Sequence, residues 1–288
     1  MSAIAPGVVF EVNNFAVTNT MLAGIITLLI MVFLAIAVRI SLSIRPNKLQ
    51  SFVEILYEYI YSLTENISDK KRAKMFFPWI MGFFTFILIS NYIGLLPLFG
   101  ESFVIHPKNE IVYDIKTGNK DRVNLKDTQD ENVELKSENE HEEYPFLRGA
   151  TTDMNYTFAM ALVSFVLIIG YGVLIQNPIG FILHYFQANE LKKMEKSMMF
   201  AMIPLFAFVG VLEIILEPLK SISLSFRLFG NVYAGETLIY AMSTIANGDP
   251  TLFIVIPFYL LEFLIAFIQA LVFATLTLVF LSLVTAKH

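Results

Sequence analysis

Residues 199–243 read MFAMIPLFAFVGVLEIILEPLKSISLSFRLFGNVYAGETLIYAMS, an apolar run of 45 residues that nevertheless carries Glu213, Glu217, Lys220, Arg227 and Glu236. As one helix it would extend about 68 Å at ~1.5 Å per residue, roughly twice the ~30 Å hydrocarbon layer of a membrane. An upright crossing is excluded. The segment must slant strongly or break, and Pro218 is the candidate bend. A long helix slanted through the bilayer offers an extended side wall to a neighbour. At about 100° per residue, with Glu213 as origin, Glu217, Lys220, Arg227 and Asn231 fall near +40°, −20°, −40° and 0°, and Glu236 near 140°. Five polar residues therefore share one stripe, and one carboxylate stands apart.

Ionisable groups at membrane depth each cost about 2.5 kcal/mol or more and usually mark ion or substrate pathways. The plainer alternative is a set of salt bridges within the seam, Glu213 or Glu217 with Lys220. Arg227 differs, because Ser223, Leu224, Gly230 and Asn231 occupy its helical neighbour positions and none is acidic. A guanidinium stays protonated under all relevant conditions. It suits the role of a permanent positive charge that needs an anion from another element or another chain.

Working outward, residues 251–284 form a second long apolar run whose one charged residue is Glu262. Gln269, seven residues on, falls on the same face, at about −20°. Glu262 suits proton uptake and release in a partly hydrated cavity, or else is a buried acid that stays protonated. Thr275 and Thr277 are expected to bond their own helix backbone. Three shorter uncharged runs, 21–38, 76–97 and 157–176, are each of membrane-spanning length or close to it. The expected fold is an all-α polytopic membrane protein with about five membrane-embedded helical segments, two of them long and tilted. Residues 47–67 add an amphipathic helix. There Leu49, Phe52, Val53, Leu56, Ile60, Leu63 and Ile67 recur at helical spacing opposite Lys48, Glu54, Glu58 and Glu65, so it lies on the membrane surface or docks on a partner helix.

Composition agrees. The chain is 56% hydrophobic and 16% charged with no Cys, whereas a soluble domain carries about 25% charged residues. This composition argues against an ordinary soluble enzyme, and the absence of Cys removes thiolate metal sites, Cys nucleophiles and disulfides. Four His without an HExxH pattern offer little to a metal. The net charge of −5 resides in residues 98–150, where twelve Asp/Glu face seven Lys/Arg. That stretch reads as a polar, acidic, flexible surface insertion, in which 103–105 and 111–115 are candidates for a small hairpin. Residues 1–20 carry no Lys or Arg, so they lack the basic start of a signal peptide. The basic residues of 39–75 and 177–198 then place the N-terminus outside and the C-terminus in the cytoplasm. The insertion lies outside, and its seven basic residues weigh little in so long a loop.

Two stretches carry a resemblance. Residues 223–238, SLSFRLFGNVYAGETL, and 269–283, QALVFATLTLVFLSL, resemble the signatures of subunit a of F-type ATP synthases. NYIGLLP at 91–97 and ATTDMN at 150–155 are weaker matches, and some relatives carry an acid where Gly94 stands. The resemblance implies a stator with two proton half-channels. Arg227 would face a ring of c subunits, each bearing one mid-membrane carboxylate. Glu236 and Glu262 would be outer relay positions, with Glu in this chain at a position where others often have His. Asn231 and Gln269 would line the seam, and Glu213 and Lys220 would match less stringent polar positions. The 47–67 helix would meet subunit b of the peripheral stalk, within the complete F1F0 complex. The chain has no GxxxxGK[ST] loop, so nucleotide chemistry is expected on other subunits. No cofactor and no nucleic acid are implied. A bacterial plasma membrane is the expected location, an organelle inner membrane the alternative. The competing reading is a secondary ion-coupled transporter, which predicts inverted repeats, and none is visible in this sequence.

Overall fold

The computed structural model describes residues 8–12, 15–43, 47–95, 104–105, 111–113, 120–122, 144–145, 148–176, 178, 180–181, 196–246 and 251–285. After a hairpin of β1 (Val8–Val12) and β2 (Phe15–Thr18) come α1 (Asn19–Ser41), α2 (Lys48–Ile67) and α3 (Lys70–Leu95). A 3-10 turn at Ala150–Thr152 leads into α4 (Met154–Gln176), followed by α5 (Lys196–Ala246) and α6 (Thr251–Thr285). Five of these helices are long and apolar enough to cross a membrane: α1, α3, α4, and the spans Met202–Ile239 of α5 and Val255–Thr285 of α6. The chain is an all-α polytopic membrane protein.

The helices begin where the local chemistry lets them. The Thr18 hydroxyl caps α1 by accepting from the Met21 amide at 3.3 Å, satisfying an amide the helix leaves unpaired. Asp153 does the same service for α4, accepting from the Asn155 amide at 2.9 Å. Of the two expected alternatives for α5, slant or break, the structure shows no break. The helix runs unbroken for 51 residues through both Pro204 and Pro218. Each proline removes one donor from the ladder, and two such losses in 51 residues have not divided the helix. At ~1.5 Å per residue it spans about 77 Å, so slant is the way a ~30 Å layer can hold it.

The core sits between α3, α4, α5 and α6. Phe76, Ile80, Phe84 and Ile87 of α3 meet Ile168 of α4, Leu224 and Leu228 of α5, and Phe273, Leu278 and Leu281 of α6, all nearly fully buried. Lipid is as apolar as leucine, so such contacts stabilise by close packing and interhelical hydrogen bonds more than by water exclusion. Ser164 and Thr277 share a bond at 3.0 Å, the Ser225 hydroxyl donates to Thr157 at 3.2 Å, and Trp79 Nε1 donates to the Tyr171 hydroxyl at 3.0 Å. Thr277 thus reaches across to α4, not to its own backbone as expected. The lost alternative is a bond inside its own ladder. The gain is a partner for Ser164, which is fully buried.

One end of the bundle is clasped by hydrogen bonds between the last turns of α6 and the ends of α2, α3 and α4. Arg72 Nη1 donates to the Thr285 carbonyl at 2.9 Å, the Ser282 hydroxyl donates to the Ile67 carbonyl at 3.0 Å, and Gln176 Nε2 donates to the Val284 carbonyl. Arg72 also pairs with Asp69. α2 lies here, packed on α3 through Tyr57 and Tyr61 against Phe77. Ile60 is buried, and Leu56, Leu63 and Ile67 pack on the core as their spacing predicts. Phe52, assigned to the same face, is 68% exposed instead. It lies two turns before Ile60, while the polar Gln50, two residues earlier, is buried and bonds Ser43 and Glu54.

The two apolar stretches of the insertion do not pair with each other. β3 (Val104–Ile105) pairs with β6 (Tyr144–Pro145), and β4 (Ile111–Tyr113) pairs with β5 (Lys120–Arg122). The end of the insertion also differs from a free surface loop. Arg148 is 8% exposed and Ala150 fully buried.

Candidate functional site

α5 and α6 run antiparallel, and their contacts set out the site along one line. Lys220 Nζ lies 5.4 Å from the Phe280 ring. Asn231 Nδ2 donates to Gln269 Oε1 at 2.7 Å. A methyl group added at Gly235 would meet the Glu262 carboxyl group. Gly235 therefore lets a carboxylate lie directly on the α5 backbone, where any side chain would displace it. The phase argument assigned Gln269 and Glu262 to one face of α6, and both are buried toward α5.

Of the five residues of the expected stripe, the structure joins two. Lys220 Nζ and Glu217 Oε1 lie 2.8 Å apart, with Glu217 7% exposed. This is the salt bridge offered as the plain alternative, and it neutralises a carboxylate that burial would otherwise penalise. Glu213 is half-buried and joins no ion pair among the described residues. Arg227 is exposed and has neither ion pair nor hydrogen bond among the described residues. It lines an open groove of about 370 Å³ with Lys220, Ser223, Leu216, Leu219 and Leu224 of α5 and Leu276 and Phe280 of α6. The rest of that side of α5 is greasy: Phe208, Ile215, Leu219 and Phe226 are each about half exposed or more. A permanent cation thus stands without its anion on an apolar wall. Such a group is costly in a membrane unless an opposite charge comes to it.

Toward the other end lie the remaining acids. Glu236 accepts from Arg148 through Nε and Nη2, both at 2.9 Å. Glu262 is 5% exposed, within Coulombic range of Glu236, and has no ion pair among the described residues. Around them the packing is polar. The Thr151 hydroxyl donates to Asn91 Oδ1 at 2.7 Å, and the Thr20 hydroxyl donates to Asp153 at 3.1 Å. Ser90 Oγ, Asn91 Nδ2 and Gln269 Nε2 are buried without a protein partner among the described residues. Two of them are adjacent on α3 and the third is on α6, and a buried polar group without a protein partner calls for one such as water or an ion.

A family model for the ATP synthase A chain matches residues 20–282. The chain belongs to the ATP synthase A chain family. Among its relatives, subunit a of ATP synthase from Tolumonas auensis is 28% identical over 263 residues, covering 91% of this chain and 84% of the relative. ATP synthase subunit a 2 from Photobacterium profundum is 30% identical over 261 residues, with the same two coverages. The subunit a of Gloeobacter violaceus is 28% identical over 259 residues, covering 90% of this chain and 80% of the relative. The family match and the five long apolar helices agree on a multi-pass membrane protein with bacterial relatives.

Two residues of this family member escaped the sequence reading. Arg148 was counted with the loop charge. Its signal was position: a lone base in FLRGATTD, directly before an apolar helix and after a run of acids. Gly235 was read only as part of a motif, though a glycine seated between alanine and an acid inside a helix marks a close approach.

Proposed function

We propose that this chain is the stator of an F-type ATP synthase membrane motor, with Arg227 as the fixed charge that faces the rotor. One observation carries the reading: Arg227 is exposed on an apolar wall with no ion pair among the described residues. A ring of c subunits bearing one carboxylate each supplies the missing anion. A neutral carboxyl group can enter lipid, and an ionised one cannot without a counter-charge. Arg227 favours the ionised form where rotor meets stator, so a proton must ride around the ring to pass. The guanidinium cannot release its proton, and it blocks a direct leak between the two half-channels.

On the outer side, Glu236, Glu262, Asn231 and Gln269 form the path, and the buried polar atoms of Ser90 and Asn91 suit a wetted route beside them. On the inner side, Glu213, Glu217 and Lys220 continue the polar seam. The basic residues near α2 and the start of α3 put the clasped end in the cytoplasm and the N-terminus outside, in a bacterial inner membrane. α2, with Phe52, Ile55 and Tyr59 exposed, suits contact with subunit b of the peripheral stalk. Nucleotide chemistry belongs to other subunits of the F1F0 complex, and this chain works without a cofactor.

The test is Arg227→Ala in the assembled complex. ATP-driven acidification of inverted vesicles should vanish while the subunit content of the membrane is unchanged. Near-normal pumping by that variant refutes the assignment.

A further inference from the structure

Two carboxylates meet at the outer end of α5 and α6, and their surroundings are unequal. Glu236 receives both Nε and Nη2 of Arg148 at 2.9 Å. Glu262 lies against Gly235 with no ion pair among the described residues. Arg148 is itself firmly placed. Gly149 packs backbone to backbone on Gly94, where an added methyl group would lie 3.0 Å from the Gly149 Cα. The following turn is buried and tied down, Thr151 to Asn91 at 2.7 Å and Thr152 to the Gly149 carbonyl at 2.6 Å. A buried guanidinium held this way has little freedom to follow a moving proton.

Two ionised carboxylates this near one another repel, and a counter-charge on one of them decides which keeps its charge. The charged groups facing Glu236 among the described residues are Arg148 and Glu262. Asp153, the nearby third acid, is turned to Thr20.

We propose that Arg148 is a positioning residue that fixes Glu236 as a standing anion and leaves Glu262 as the acid that carries the proton in the outer half-channel. This rests on the stator reading above. Glu262 takes a proton from outer water, passes that proton toward the rotor carboxylate, and returns to the carboxylate form. Glu236 shapes the field and does not exchange. The roles follow from the pairing. If Glu236 is removed, the Arg148 charge is no longer offset by that carboxylate and favours the ionised form of Glu262, the neighbouring acid, which slows its exchange. If Arg148 is removed, Glu236 becomes a second acid competing for the same proton.

The experiment uses the complete ATP synthase in inverted vesicles, with ATP-driven proton pumping normalised to subunit content. Glu236→Gln and Arg148→Gln should each slow pumping. The double variant Arg148→Gln/Glu236→Gln should be faster than the slower single by about tenfold, a coupling of about 1.4 kcal/mol. Arg148→Gln/Glu262→Gln should be no faster than Glu262→Gln. Arg148→Lys should retain most of the flow. In Arg148→Gln the pH profile of pumping should move to higher pH, since an uncompensated acid holds its proton longer as pH rises. A merely structural tie would leave that profile in place. The proposal is overturned if Glu262→Gln pumps at the wild-type rate, if the Arg148→Gln/Glu236→Gln double is no faster than its slower parent, or if the profile does not move. Should Arg148→Gln fail to accumulate, the Arg148→Gln/Glu236→Gln double still decides: pumping no faster than Glu262→Gln overturns the proposal. Arg227→Ala separates the two readings: pumping by that variant sinks the stator assignment, whereas a dead Arg227→Ala with an uncoupled Arg148 and Glu236 sinks this one alone.

Discussion

Gly235→Ala perturbs the site by one methyl group. That methyl falls where the Glu262 carboxyl group lies, and the carboxyl is the movable end of a flexible side chain. Alanine in a helix is favoured over glycine by about 1 kcal/mol, while overpacking costs about 1–3 kcal/mol. The net change in stability is therefore at most about 2 kcal/mol, and the subunit should still assemble. The carboxylate must retreat by about a bond length, and a misplacement of about 1 Å in a reacting arrangement can cost about 10²-fold in rate. The expected result is a fall in ATP-driven pumping of about that size at unchanged subunit content. Gly82→Ala and Gly170→Ala are the controls, because an added methyl there meets nothing within 4 Å. Both should pump normally. Wild-type pumping by Gly235→Ala refutes the reasoning. So does disappearance of the subunit from the membrane, which would make Gly235 a packing residue and nothing more.

Lys220→Met leaves Glu217 buried without its partner and should lower subunit content, by an energy of about 1–3 kcal/mol. Adding Glu217→Gln should restore the content, as a quantitative blot of the membranes would show. Thr277→Val removes the bond to Ser164 and should destabilise the bundle by about 0.6 kcal/mol, read as a lowered denaturation midpoint in detergent, with Thr275→Val as the comparison. Deleting residues 103–145 keeps Arg148 and its pairing and should spare coupling. A deletion complex that assembles and fails to pump would show that the insertion takes part.

The helices were legible because the bilayer is an undemanding solvent to read. Runs of about 20 apolar residues have few alternatives, and the ends of α4 and α6 lie within a few residues of the expected ones. Arg227 stood out for the opposite reason, as a charge in an apolar run with no acid at its helical neighbour positions. What the sequence hid were relations between distant segments. Arg148 and Glu236 are 88 residues apart, and no helical period links them. Thr277 carries an ambiguous hydroxyl that bonds its own ladder or a neighbour with similar ease. Only the position of Ser164 chooses between them. β3 finds its partner in β6 across some 40 residues, a pairing that short apolar alternation does not specify. The choice between slant and break in α5 was left open by the sequence, because a proline's effect depends on whether the surrounding helices hold the turn.

The clasp on the last turns of α6 has a consequence for biogenesis. Arg72, Gln176 and Ile67 all find partners in the last turns of α6, which ribosomes make long after the segments that await them. Until those turns arrive, none of these three bonds can form. The clasp is thus the last contact of the bundle to close, after every other helix has been made.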